Sequence, residues 1–119
     1  MIMINRDRTI LTKVVEEATA LEQILYGVDE TTFLKNDEKM RAECMTLINV
    51  GELVKNLGDD CRKMNNEIPW KEMAGLRDVA AHGYFTLRMP DIWIYASVEM
   101  PVYKTKIKEI LDNENSITE

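Results

Sequence analysis

Arg77-Asp78-Val79-Ala80-Ala81-His82-Gly83-Tyr84 sets a guanidinium, a carboxylate, the only imidazole of the chain and a phenol within eight positions. Imidazole is the side chain best suited to moving protons near neutral pH. Guanidinium grips phosphate through a planar fork of N–H donors. Cutting RNA without a metal needs a base for the 2′-hydroxyl proton and an acid for the leaving oxygen. It also needs positive charge where the phosphate becomes more negative. The octet therefore points to chemistry on a phosphodiester.

On a helix turning ~100° per residue, Arg77 and Tyr84 are seven apart and share one stripe. Asp78 and His82 are four apart and share a neighbouring stripe. Asp78 is thus placed to accept a hydrogen bond from one ring nitrogen and to orient His82. Arg77 and His82 stand ~140° apart and do not point at a common atom in a straight helix. Two arrangements resolve this. Either Gly83 lets the helix end unwind and swing His82 round, or two chains face their octets across a two-fold axis. Counting proton carriers favours the second, because a symmetric dimer brings two histidines and two arginines to one place. The same residue types also have plain structural roles: a packed or surface histidine, an ion pair of Arg77 with Asp78 or Glu52, and a half-buried tyrosine.

Helical periodicity dominates the elements that must carry these groups. A first helix is expected over about Arg6–Leu25, with Ile10, Leu11, Val14, Ala18, Leu21 and Leu25 on one stripe. Asn5 or Asp7 would cap it and Gly27 would end it. A turn of helix is expected around Thr31–Leu34. A second long helix follows over about Asp37–Leu57, where Met40, Cys44, Leu47, Gly51 and Val54 step by four, three, four and three. Gly51 inside that seam, despite its helix cost of ~1 kcal/mol, indicates a close helix contact. Residues 59–68 read as a helical turn and loop. Pro69 suits the first position of a third helix that reaches Gly83 or Phe85 and carries the octet. Pro90-Asp91 opens the last helical region, which Pro101 must kink or restart. The expected fold is all-α: a single domain over 1–119, a four-to-five-helix up-down bundle with a core of about 6–111 and an acidic stretch over 112–119.

Composition limits the function classes. The apolar fraction of 45% argues against disorder. The net charge of −6 counts against a general nucleic-acid binder. The charge is uneven, however: residues 69–111 carry six basic and five acidic groups, so the octet lies in the least acidic part of the chain. Any nucleic-acid contact should be local. Cys44 and Cys61 lack CxxC spacing and read as reduced thiols rather than a disulfide. Two Cys and one His make no zinc set, so neither metal nor cofactor is expected. Met1-Ile2-Met3-Ile4 gives way at once to charge, and the apolar run Ile92–Val98 is too short for a bilayer. These features are those of a soluble cytoplasmic protein.

The surrounding words carry a family resemblance. Arg77-x4-His82-x-Tyr84 resembles the signature of HepT-like proteins of the HEPN superfamily. Val50-Gly51-Glu52 looks like that family's Gly-Glu on the second helix, and Glu67-Ile68-Pro69-Trp70 like the segment before its motif helix. Asp91-Ile92-Trp93 and Met100-Pro101 look like its final helices. The similarity spans most of residues 6–111 in order and spacing. It implies a HEPN-like helical bundle that forms a homodimer through the motif helix region. It further implies a metal-independent ribonuclease acting on RNA, several members being toxins of prokaryotic toxin–antitoxin pairs. The implied partner is a nucleotidyltransferase-type antitoxin that silences the toxin by adding AMP to the motif tyrosine. Arg77 would then grip phosphate, His82 would be the catalytic histidine, Tyr84 the modification site and Glu52 a supporting residue. Asp78 stands where asparagine is commoner in that family; a carboxylate accepts from His82 but does not donate to a phosphate. Ala80-Ala81 replace a bulkier apolar pair. An alternative reading keeps the bundle but makes it a non-catalytic module that binds a nucleotide or a nucleotidyltransferase.

Overall fold

The computed structural model describes residues 3–86 and 88–118, the last four of these as backbone only. All regular structure among them is helical. The elements are α1 (Asn5–Leu25), α2 (Glu30–Phe33), α3 (Asp37–Lys55), α4 (Asp59–Met64), α5 (Trp70–Ala74), α6 (Leu76–Phe85), α7 (Met89–Ile94), a π-helical turn (Tyr95–Glu99) and α8 (Met100–Thr118). α3 is the central strut, packed by α1 on one side and by α5 and α6 on the other, while α8 returns along α1. The bundle thus has four long members: α1, α3, the interrupted pair α5–α6, and the continuous run from α7 into α8.

The stripes that define these helices are the ones that become buried. Leu11, Val14 and Leu21 of α1 meet Leu47, Val50 and Val54 of α3 in one core with Met73, Leu76, Ile92, Met100 and Ile107. Each of these side chains is at most 1% exposed, a burial that contributes about 1.5–3 kcal/mol apiece before the entropy cost of ordering. No helix among the described residues is long and apolar enough to cross a membrane. Cys44 and Cys61 are both buried and free.

Several local expectations need correction. Neither Asn5 nor Asp7 caps α1, whose N-cap is Ile4 without a side-chain bond. Asp7 is instead buried, and its Oδ1 accepts from the Gly58 amide at 3.1 Å. The carboxylate ties the start of α1 to the loop beyond α3 and so is not available to cap its own helix. Gly27 does end α1, at φ 72°. The third helix breaks at Gly75, so α5 and α6 are two short helices rather than one. Around Pro101 the chain stays helical, and α-helix restarts at Met100 after the π turn, with the proline as its second residue. Lacking an N–H, proline leaves the carbonyl four residues back without its usual helical donor. The turn before it widens into π geometry, and the helix passes through.

Gly51 sets the distance between α3 and the octet helix. A Cβ placed there would lie 2.7 Å from the Arg77 backbone nitrogen and 3.1 Å from both the Ala74 carbonyl and the Arg77 Cβ. Two of those three obstacles are backbone atoms, which cannot step aside. Gly51→Ala should therefore lower stability by about 1–3 kcal/mol, overriding the better helix propensity of alanine. Chemical denaturation of the variant checks this; an unchanged or raised midpoint would refute the close contact.

Candidate functional site

α6 presents its chemistry on two sides. The first side faces α3. Next to Gly51 comes Glu52, whose Oε1 stands 2.6 Å from Arg77 Nη1. Both partners are about half exposed, with side-chain exposures of 54% for Arg77 and 42% for Glu52. A pair that open to water adds little to stability. Its effect is to aim the guanidinium, which otherwise would sample many rotamers. Two turns along the same stripe, Tyr84 is half-buried against α3. There Arg41 lies over its ring, with the guanidinium carbon 5.2 Å from the ring centroid. Phe85 meets the tyrosine edge-on at 5.6 Å. Tyr84 and Arg41 line a groove of about 260 Å³ whose remaining walls are apolar: Cys44, Met45, Ile48, Ala80, Ala81 and Phe85.

The second side faces α7. His82 is exposed and lines a separate groove of about 390 Å³ with Glu72, Arg88, Asp91, Tyr95 and Glu99. Arg88 is held by Asp91 at 2.8 Å. Below this groove lies Tyr103, 3% exposed. Its phenol is pushed up, first by burial and then by the charges of Glu72 and Glu99. The π turn puts Tyr95 at its start and Glu99 at its end on the wall of this groove. It thus supplies two of the side chains that surround the imidazole.

Arg77 and Tyr84 therefore share a face as their spacing predicts, and His82 does not join them. Each of the two stripe-mates has its own α3 partner, Glu52 for Arg77 and Arg41 for Tyr84. Gly83 does not unwind α6, which stays helical through Phe85. The glycine is buried, and a Cβ there would lie 2.9 Å from two carbons of Ile92. Its role is close packing of α6 on α7, not hinge freedom. The expected hydrogen bond from His82 to Asp78 is absent among the described residues. Both side chains stand in water, where an i,i+4 pair has no burial to hold it. The His82 carbonyl accepts from the Thr86 amide at 2.9 Å and from its hydroxyl at 2.6 Å, which closes the end of the helix.

Sequence reasoning missed Arg41 and the carboxylates around His82. For Arg41 a signal existed: Arg41, Met45, Ile48 and Glu52 step by four, three and four along α3, a stripe beside the core seam. It missed Glu43 as well. That carboxyl is fully buried in α3, and neither oxygen has a hydrogen-bond partner among the described residues. Burial pushes it up to about 9, so it is a neutral acid at physiological pH. Cys44 and Cys61 are both pushed up to about 11, first by burial, which makes them packed thiols rather than nucleophiles. No group of His, Cys, Asp and Glu among the described residues has the arrangement of a metal site.

The model of one protein family, described as ribonuclease HepT-like, matches residues 14–110. A protein of Caldanaerobacter subterraneus subsp. tengcongensis named "Putative RNase" is 35% identical over 107 residues, covering 90% of this chain and 96% of that protein. A "Putative RNase" of Methanocaldococcus jannaschii is 37% identical over 90 residues, covering 71% and 74%. The "Probable ribonuclease HepT" of Thermococcus cleftensis is 28% identical over 100 residues, covering 84% and 91%. No solved structure matches the chain. An all-helical bundle carrying Arg77, His82 and Tyr84 on one helix, together with this family match over most of its length, shows that the chain belongs to the HepT-like ribonuclease family.

Proposed function

We propose that the protein is a metal-independent RNA endonuclease whose working site is built by two copies of the chain. One observation carries this reading: α6 remains helical through Phe85, with Arg77 on its α3 side and His82 on its α7 side. Within one chain the guanidinium pairs with Glu52 on α3, while the imidazole lines the groove on the α7 side. A two-fold axis beside α6 supplies the missing partner for each. Both margins of α6 carry apolar surface for such a contact, with Phe85 83% and Met45 56% exposed on one side and Ile94 50% exposed on the other.

In that site the imidazole of one chain takes the proton from the 2′-hydroxyl, and the 2′-oxygen attacks the adjacent phosphorus. The second imidazole, in its protonated form, gives a proton to the departing 5′-oxygen. Arg77 faces the charge that builds on the phosphoryl oxygens. Glu52 keeps the guanidinium aimed until phosphate competes for it. Asp78, one turn before His82, closes on the imidazole when substrate excludes water, since catalytic hydrogen bonds commonly tighten only in the complex.

The same reading places the protein as the cytoplasmic toxin of a toxin–antitoxin pair, silenced by a nucleotidyltransferase that transfers AMP to Tyr84. Tyr84 is half-buried beside an open groove, and its hydroxyl makes no hydrogen bond among the described residues. A second reading is a non-catalytic module that binds a nucleotide or a nucleotidyltransferase; its protein-binding form is favoured by the acidic rim of Glu72, Asp91 and Glu99 around His82, which repels the phosphates of an RNA substrate. RNA cleavage in chelator separates the two: a module cuts nothing.

Mixed dimers test the shared site. If both imidazoles act on one phosphodiester, a heterodimer of wild type and His82→Ala is inactive. Equimolar co-refolding then leaves about one quarter of the wild-type rate, whereas independent sites leave about half. A rate of about half would exclude two imidazoles acting on one phosphodiester, and a monomer by sedimentation would overturn the two-chain site.

A further inference from the structure

We infer that Arg41 is the residue that holds the phosphate of a nucleotide carried on Tyr84. This rests on the reading that Tyr84 accepts AMP. In that transfer the Tyr84 oxygen forms a bond to the α-phosphorus of ATP. The bond from that phosphorus to the β-phosphate oxygen breaks, pyrophosphate leaves and the phenolic proton passes to a base of the transferase. What remains is a phosphodiester with one negative charge.

The charge would come to rest at the mouth of a groove walled by Met45, Ile48, Ala80 and Ala81. An unpaired charge beside such walls is costly, so its counter-ion matters. Arg77 shares the stripe, but it lies seven residues away, about 10 Å along the helix. Glu52 also holds it at 2.6 Å. Arg41 is already stacked on the acceptor ring at 5.2 Å, approaching from α3. Among the described residues only its Nε is engaged, donating to Asp37 Oδ2 at 2.7 Å. That leaves the two terminal nitrogens for a two-pronged contact with phosphoryl oxygens. The Asp37 pair is exposed on both sides, with side-chain exposures of 63% and 66%, so it resists little when the guanidinium turns. Arg41 is therefore a positioning residue for the modified state. It has no part in cleavage by the unmodified protein.

Two experiments separate this inference from its parent. In the first, the full chain is incubated with ATP and a minimal nucleotidyltransferase of the antitoxin type, and intact mass is measured. A gain of one AMP in wild type but not in Tyr84→Phe is expected; no gain overturns both readings. In the second, phosphotyrosine is installed at position 84 by codon reassignment, and its removal by a phosphatase is timed. Arg41→Gln should speed that removal about tenfold or more, and Arg41→Lys should restore part of the protection. The melting temperature and the RNA cleavage of the unmodified Arg41 variants should match wild type. Equal removal rates in wild type, Arg41→Gln and Arg41→Lys would overturn the role of Arg41 even if the first experiment succeeds.

Discussion

His82→Ala should reduce RNA cleavage by about 10²–10⁴-fold while leaving the fold intact, because proton transfer by a placed side chain contributes about that much. The structural side of this expectation is the exposure of His82. Its imidazole makes no hydrogen bond among the described residues, and the helix end below it is closed by Thr86 through the backbone carbonyl, which alanine retains. Removing a surface side chain of this kind changes stability by no more than about 0.5 kcal/mol. Arg77→Ala should lose about 10²–10³-fold, the usual loss when one preorganised donor to a developing charge is deleted. Its exposed pair with Glu52 contributes little to the fold. Rates in chelator, together with melting curves for both variants, check the pair of expectations. Full cleavage by His82→Ala would end the nuclease reading, whatever Arg77→Ala does.

Glu43→Met should stabilise the protein by about 1–3 kcal/mol at pH 7, the usual cost of a buried polar group left without hydrogen-bond partners. It should also flatten the dependence of stability on pH. In the unfolded chain this carboxyl titrates near 4.5, and in the fold at about 9. Between those values the folded protein keeps a proton that the unfolded chain has released. The contribution of Glu43 to stability is thus complete below pH 4.5 and is lost as pH rises towards 9, with a limiting slope of about 1.4 kcal/mol per pH unit. Wild type should therefore melt at progressively lower temperature from pH 5 to pH 9, beyond whatever trend Glu43→Met retains. Glu43→Gln should share the flat profile with a smaller gain, since a buried amide without partners still costs about 1–3 kcal/mol. Parallel profiles for wild type and Glu43→Met would show that Glu43 reaches water.

Most of the architecture was legible as periodicity. The stripes Ile10–Leu21 and Cys44–Val54 are the faces that pack, and the relative directions of Arg77, His82 and Tyr84 follow from their spacing alone. Gly51 was legible too, because a glycine in an otherwise strong seam has few other reasons to be there. Gly83 was not, since the same residue type serves as a hinge or as a close contact, and only the position of Ile92 decides between them. Asp7 and Glu43 resisted for one reason: charge argues for solvent, and only tertiary context reveals a carboxylate spent on a remote loop or a neutral acid in a core. Glu43 stands four residues before Leu47 and seven before Val50, so its stripe predicts burial and its chemistry forbids it. Arg41 was legible as a member of the stripe that leads to Glu52, but its contact with Tyr84, 43 positions away, depends on how α3 and α6 pack. The π turn was half legible, in that Pro101 demanded some accommodation without dictating its form.

The two glycines that flank the octet helix have a joint consequence. Gly51 presses the first turn of α6 onto α3, and Gly83 presses its last turn onto Ile92. A larger residue at either position would push α6 away from its neighbour, against backbone at Gly51 and against the Ile92 side chain at Gly83. Arg77 and His82 are thus carried at a fixed separation along α6, and variants that keep both glycines should superimpose on wild type over the backbone of the entire octet.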